Sequence, residues 1–291
     1  MLTLVRLGSA ALLAGLAVPA TAQELSLPLR DGSVRFAVLG DAGTGEREQY
    51  EIARQLAAFH AKFPFTFAIM LGDNMYGKER PQDFVTKFER PYKALLDADV
   101  EFHAALGNHD DPNQRYYKPF NLGGKRYRSF KKENVRFYVL DSNYLDPDQV
   151  KWLEAELKAG GGDWKIPYFH HPLYTSARRG PEEELREILE PLFVVHGVDV
   201  VFAGHEHIYE RFKPQWEIHH FVAGGSAKLR PGDTRMTPIT AVEYSADRTF
   251  MLVEIAGDSL HFQAINRRGA TVDKGVIVRR ESVAPKPATV R

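Results

Sequence analysis

The 291-residue sequence contains no cysteine. Disulfides and thiolate metal ligands are therefore excluded, and any metal must be held by imidazole, carboxylate, amide or phenolate groups, a set suited to iron, zinc or manganese. The sequence also lacks net charge, with 38 Lys and Arg against 38 Asp and Glu. Binding to nucleic acid by counterion release has little to work with, and the one basic stretch with interleaved aromatics, KRYRSFKK from Lys125 to Lys132, reads as a solvated hairpin. No apolar run is long enough to span a bilayer comfortably; the run from Leu7 to Val18 ends at Pro19. With Arg6 before it and Ala20-Thr21-Ala22 after it, that run has the pattern of a secretory signal over residues 1–22, which predicts a periplasmic or secreted protein with no membrane anchor after cleavage. No repeat is present, and the one low-complexity stretch is the Pro-containing tail, residues 281–291, expected to be flexible. One folded domain is expected over residues 25–280, and 44% hydrophobic residues give it enough material for a substantial core.

What the chain does have is a repeated grammar of short β-branched runs, each ending in a polar cluster. Val34 to Leu39 leads into Gly40-Asp41, Phe65 to Leu71 into Gly72-Asp73-Asn74, and Val100 to Leu106 into Gly107-Asn108-His109-Asp110. Val135 to Leu140 and Val198 to Ala203 follow the same pattern, the latter ending in GHEH. Near-continuous apolar runs of this length predict strands buried on both faces. Helical spacing appears between them at Glu46 to Lys62 (Ile52, Leu56, Phe59), Pro147 to Ala159 (Val150, Leu153, Leu157) and Glu182 to Val195 (Leu185, Ile188, Leu192). Asp146 before Pro147 is an N-cap signal, and Pro191 is expected to kink or split the last helix. Tyr127 to Phe130 and Val135 to Leu140 read as an antiparallel hairpin. After His207 the pattern turns to strand-like runs: Ile218 to Ala223, Thr249 to Ile255, Leu260 to Ile265 and Gly275 to Val278. The expected architecture is α/β, two mixed sheets face to face with helices outside, a four-layer α-β-β-α sandwich.

In such folds ligands bind at the carboxyl ends of strands, where Asp41, Asp73, Asn74, Asn108, His109, His205 and His207 all lie. A strand followed by Gly-Asp is also a common turn, and a polar His pair is also a common surface feature, so no single cluster decides the matter. Their conjunction does. Two carboxylates, an amide beside an imidazole, and a His-x-His, each at a strand end, form a donor set for metal. At strand spacing His205 and His207 point the same way while Glu206 points away. Phe169-His170-His171-Pro172, if extended, puts its two histidines on opposite faces, and the spacing alone does not say which faces the site. His60, His103, His196 and His261 read as structural, and one of His219 and His220 is expected near the crevice.

Taken in order, GDAG, GDNMY, GNHD, FHHP and GHEH resemble the motif blocks of the calcineurin-like metallophosphoesterases, and Tyr76 in GDNMY is similar to the purple acid phosphatase branch, in particular its small tartrate-resistant type. That resemblance implies two metal ions. Asp41, Asp73, Tyr76 and His207 would hold the first, and Asp73, Asn108, His170 and His205 the second, with Asp73 shared. Carboxylate and phenolate oxygens suit iron(III) at the first position; the amide and two imidazoles suit divalent Fe, Zn or Mn at the second. The implied reaction is hydrolysis of a small phosphate monoester by metal-activated hydroxide, acid-phosphatase type. His109 is expected to bind phosphate and protonate the leaving group, with Asp110 orienting it. Asn108 and Arg178, or its neighbour Arg179, are expected on the substrate phosphate. The alternatives are a phosphodiesterase using the same residues, or an iron- or phosphate-binding or redox protein without hydrolysis. Oligomeric state has no signal in the sequence.

Overall fold

The computed structural model describes residues 24–279. The expected export signal and Pro-containing tail lie outside the described residues. In chain order the strands are β1 (Val34–Leu39), β2 (Phe67–Met70), β3 (Glu101–Ala104), β4 (Arg128–Lys132), β5 (Val135–Val139), β6 (Trp164–Phe169) and β7 (Val200–Ala203). They continue as β8 (Tyr209–Phe212), β9 (His219–Ala223), β10 (Thr240–Tyr244), β11 (Thr249–Ala256), β12 (Ser259–Asn266) and β13 (Thr271–Val278). The helices are α1 (Arg47–His60), α2 (Pro81–Phe84), α3 (Lys93–Leu96), α4 (Pro147–Ala159) and α5 (Glu183–Val195).

Two mixed sheets result, in the orders β13-β12-β11-β1-β2-β3 and β10-β8-β9-β7-β6-β5-β4. In the first, β1, β2 and β3 are parallel and β11 joins β1 antiparallel; in the second, β5, β6, β7 and β9 are parallel. Of the runs read as doubly buried, β2 and β7 are buried at every residue, whereas β1, β3 and β5 each carry one residue that is not, Arg35, Glu101 and Arg136; β6, which no apolar run announced, is buried throughout. Between the sheets, Phe36 meets Phe137 edge-on at 5.2 Å and Phe67 meets Phe137 at 5.4 Å. Such pairs contribute about 0.5–1.5 kcal/mol each beyond their buried area, so they fix the relative placement of the sheets, and with it the two halves of the site above them.

Helix α1 covers the outer face of the first sheet through Ile52, Leu56 and Phe59, as its spacing predicts. Helices α4 and α5 cover the second sheet, completing the four layers. Asp146 caps α4 by accepting from the Gln149 amide at 2.8 Å. Helix α5 departs from expectation twice. It buries Leu185, Leu189 and Phe193 and exposes Ile188, and it runs unbroken through Pro191. Pro191 lies on the exposed face, where the carbonyl left without a donor one turn earlier is open to water. The hairpin of β4 and β5 forms as expected, whereas β8 and β10 had no clear apolar run to announce them.

Candidate metal centre

Three site residues directly follow a glycine and adopt left-handed backbone: Asp41 at φ 54°, Asp73 at φ 50° and His205 at φ 68°. Non-glycine residues pay for this conformation, and it persists where surrounding contacts over-determine it. Those contacts are present. The Asp41 amide donates to the Gly72 carbonyl at 3.1 Å, the His205 amide to Asp41 Oδ2 at 2.8 Å, and the His109 amide to Asp73 Oδ1 at 2.9 Å. Close approach demands glycine as well: a Cβ on Gly107 would fall 2.1 Å from the Asp73 amide nitrogen, which backbone cannot yield cheaply.

The GHEH segment does not continue its strand. β7 ends at Ala203, and the chain bends tightly, with the Glu206 amide on the Gly204 carbonyl at 2.8 Å and the Ile208 amide on the Glu206 carbonyl at 2.7 Å. His205 and His207 converge through this bend, not through strand alternation. Glu206 is nevertheless turned elsewhere: its buried carboxylate faces Arg230 at 3.4 Å and Arg179 at 4.0 Å.

Two donor clusters form. In the first, the Tyr76 hydroxyl donates to Asp41 Oδ1 at 3.0 Å and lies 3.2 Å from His207 Nε2, which is 3.4 Å from Asp41 Oδ1; Asp73 completes this group. In the second, Asn108 Oδ1 lies 2.9 Å from His170 Nε2 and 3.0 Å from His205 Nδ1, and those two nitrogens are 3.1 Å apart. Asp73 Oδ1 approaches His170 Nε2 at 3.4 Å, so this carboxylate neighbours both clusters. His170 donates from Nδ1 to the Leu71 carbonyl at 2.9 Å, which leaves the Nε2 lone pair of the neutral ring aimed inward.

The electrostatics of this arrangement call for cations. Burial, then the Asp73 charge, holds Asp41 well above the ordinary carboxylate range. Burial and the two carboxylates push the Tyr76 phenol up. Burial pulls His170 well below its ordinary value, His205 down to about 2 and His207 down to about 4. Buried oxygens that resist ionisation beside imidazoles that resist protonation are the donor set that positive ions stabilise, and their chemistry fits metal in both clusters.

The remaining expected residues divide. His109 sits at the rim, exposed, its ring 5.0 Å from the Tyr76 ring. Asp110 does not orient it. Its carboxylate accepts from the amides of Gly107 (2.8 Å), Asn74 (3.1 Å) and Met75 (2.9 Å) and from the side chains of Asn74 (3.0 Å) and Gln114 (2.8 Å). With every lone pair engaged, Asp110 clamps the GDN loop to the GNHD loop. Burial, then the Asp73 charge, pushes it up to about 7. Arg178 lies 3.7 Å from Asp233 and contacts none of the converging groups, whereas Arg179 reaches the centre and donates from Nη1 to His205 Nε2. His171 stands beside His170 and His205 and contacts Ser142 Oγ through Nδ1 at 2.9 Å. Neither His219 nor His220 joins the converging groups; His220 packs against Tyr174 at 4.8 Å.

Sequence reasoning missed the loop after β9. Lys228 donates from its amide to the Asp41 carbonyl at 3.2 Å and places Nζ 4.8 Å from the centre of the Tyr76 ring; the Arg230 amide donates to the His207 carbonyl at 3.0 Å. The signal was available: β9 ends at Ala223 and is followed by Gly224-Gly225, the same strand-then-glycine grammar as the other site loops.

Residues 34–209 match the family model for calcineurin-like phosphoesterases. Purple acid phosphatase 17 of Arabidopsis thaliana is 27% identical over 247 residues, 72% of each chain. Tartrate-resistant acid phosphatase type 5 of Homo sapiens is 24% identical over 314 residues, 89% of this chain and 96% of that one. Among solved structures, purple acid phosphatase PPD1 from yellow lupin seeds superposes with a TM-score of 0.67 at 19% identity, over 86% of this chain and 54% of its own, a likeness of fold.

Proposed function

Because the chain belongs to the calcineurin-like phosphoesterases and is a metallophosphoesterase akin to the purple acid phosphatases, we propose that it hydrolyses small phosphate monoesters at a two-metal centre formed by the clusters described above. The observation that carries this reading is the Asp73 carboxylate standing between an oxygen-rich cluster (Asp41, Tyr76, His207) and an amide-imidazole cluster (Asn108, His170, His205). The first suits iron(III), the second divalent Fe, Zn or Mn. Metal ions bound there would lower the pKa of water and neutralise phosphate charge.

The chain's own residues supply the rest. His109, exposed at the rim beside Tyr76, is placed to hand a proton to the departing oxygen. Asp110 keeps Asn108 and His109 in position by fixing the loop that bears them. Arg179, not Arg178, is the arginine within reach of the substrate phosphate, and a planar guanidinium matches phosphate oxygens two at a time. Export is part of the proposal and rests on the pattern of residues 1–22; among the described residues no helix is long and apolar enough to cross a membrane.

The test is turnover of aryl phosphate mono- and diesters by the purified protein, with its metal content measured alongside. Monoester turnover that follows metal occupancy supports the reading. Preferential diester turnover would replace it with the phosphodiesterase alternative, and full metal without turnover would point to a binding protein.

A further inference from the structure

Two cavities flank the centre, and their charges are opposite. One of about 550 Å³ is lined by Arg178, Arg179 and Arg230 together with Asp233. The other, about 460 Å³, shares Asn108 and His171 with the metal centre and extends from it past Asp141, Asn143, Tyr144 and Glu182. No lysine or arginine lines this second cleft. Asp141 accepts from Arg126 and from the Asn143 backbone amide, each at 3.0 Å, whereas the exposed Glu182 carboxylate makes no ion pair among the described residues. Asn143 donates its side-chain N–H groups to the carbonyls of Leu106 (3.2 Å) and Gly107 (3.3 Å), and its Oδ1 has no donor among the described residues. Tyr144 is 64% exposed, with the Arg126 guanidinium 5.9 Å from its ring centre, so this ring already faces one cation and has surface left for another.

A phosphate drawn to the arginine side leaves the second cleft for the alcohol portion of the ester. We propose, building on the phosphatase reading, that this cleft selects a cationic leaving group: the substrate is the phosphate monoester of a short amino alcohol, its ammonium facing Glu182 with the Tyr144 ring alongside. A carboxylate and an aromatic face are partners that recognise ammonium groups, whereas a neutral alcohol offers Glu182 no charge to attract and an anionic one is repelled by it. The chemistry of the step is ordinary hydrolysis. Water gives its oxygen and one proton to the phosphate, the ester P–O bond breaks, and water's second proton ends on the oxygen of the departing amino alcohol.

The experiment compares kcat/KM for choline phosphate, ethanolamine phosphate, glycerol phosphate and p-nitrophenyl phosphate on the metal-loaded protein and on Glu182→Gln and Glu182→Lys. The cationic esters should exceed glycerol phosphate by about tenfold, through KM, as expected for one cation–carboxylate or cation–π contact. Glu182→Gln should bring the ratio near unity, and Glu182→Lys should invert it. Turnover of p-nitrophenyl phosphate with no preference for the cationic esters, or a preference that Glu182→Lys leaves intact, overturns this inference alone. Absence of turnover on every ester overturns the phosphatase reading beneath it.

Discussion

Arg179 donates from Nη1 to Nε2 of His205, the ring whose other nitrogen, Nδ1, is aimed at Asn108 Oδ1. A ring nitrogen that accepts from arginine carries no proton, so the neutral ring holds its proton on Nδ1. Ligation through Nδ1 requires the opposite tautomer, which would set two donors face to face at Nε2. Arg179 and a cation therefore compete for His205. Arg179→Ala should tighten binding of Zn(II) or Mn(II) at the second position several-fold in calorimetric titration of the metal-free protein, while weakening inhibition by inorganic phosphate. An unchanged metal affinity would show that the arginine does not gate the ring.

Tyr76 contacts Asp41 Oδ1 and His207 Nε2 with the same hydroxyl, and burial holds the phenol protonated unless a cation stabilises the phenolate. If iron(III) occupies that cluster, tyrosinate bound to it absorbs visible light. Tyr76→Phe should then bleach the colour of the isolated protein while keeping iron, as read by absorption and metal analysis, since Asp41, Asp73 and His207 remain. A colourless wild-type protein with zinc or manganese and full activity would remove iron and leave the phosphoesterase reading standing.

How far the sequence reveals this site depends on what each position needs. Asp41, Asp73, Asn108 and His205 were legible because a strand must end in a glycine turn to bring a side chain to the crevice, and that grammar is written locally. The helix-on-sheet layers were legible from apolar spacing for the same reason. Asp110 was misread because its role is set by five donors, from Gly107 beside it and from Asn74, Met75 and Gln114, which no local pattern announces. Arg178 and Arg179 are neighbours of one type, and only the pairing of Arg178 with Asp233, brought from a distant loop, separates them. Ile188 was placed inside because Leu185 and Ile188 share a helical face, but the sheet beneath α5 takes Leu185, Leu189 and Phe193 instead.

His109 lies over the Tyr76 ring with its backbone amide held by Asp73, so truncating its side chain leaves the loop and the donor clusters in place. Leaving groups differ in how much they need a proton. His109→Ala should lower kcat/KM for alkyl phosphates by about 10²–10⁴-fold, the usual contribution of a positioned acid, and lower it much less for p-nitrophenyl phosphate. Equal losses on both would remove the acid role and leave only phosphate binding.

Two buried histidines outside the metal centre should each cost the fold stability in acid. Burial, then the neighbouring Arg128, pulls His103 from 6.5 down to about 4; burial, then His219, pulls His220 down to about 3. Both are buried and neutral when folded, and His220 Nε2 has no hydrogen-bond partner among the described residues. In the unfolded chain each titrates near 6.5, so between that pH and its folded value the unfolded state binds more protons and stability rises with pH. Their contribution is complete above about pH 6.5, is lost as pH falls through the folded values, and is a few kcal/mol for each, at roughly 1.4 kcal/mol per unit. Asp41 and Asp110, whose carboxyls are held above the ordinary range, act in the opposite sense over the same window, so the histidine contribution is read as a difference between variants in urea unfolding of the metal-free protein from pH 8 to pH 4. His220→Leu puts an apolar side chain against Tyr174 and removes one titrating group, so relative to wild type it should gain stability as pH falls from 6.5 to 4, and an unchanged difference would remove His220 from the account. An enzyme of this family working in acid would have to offset that loss, and metal binding to the folded state alone is the means its structure provides. Metal-loaded protein should accordingly keep its midpoint further into acid than the metal-free form, and identical pH profiles for the two would show that the ions contribute nothing to holding the sheets together.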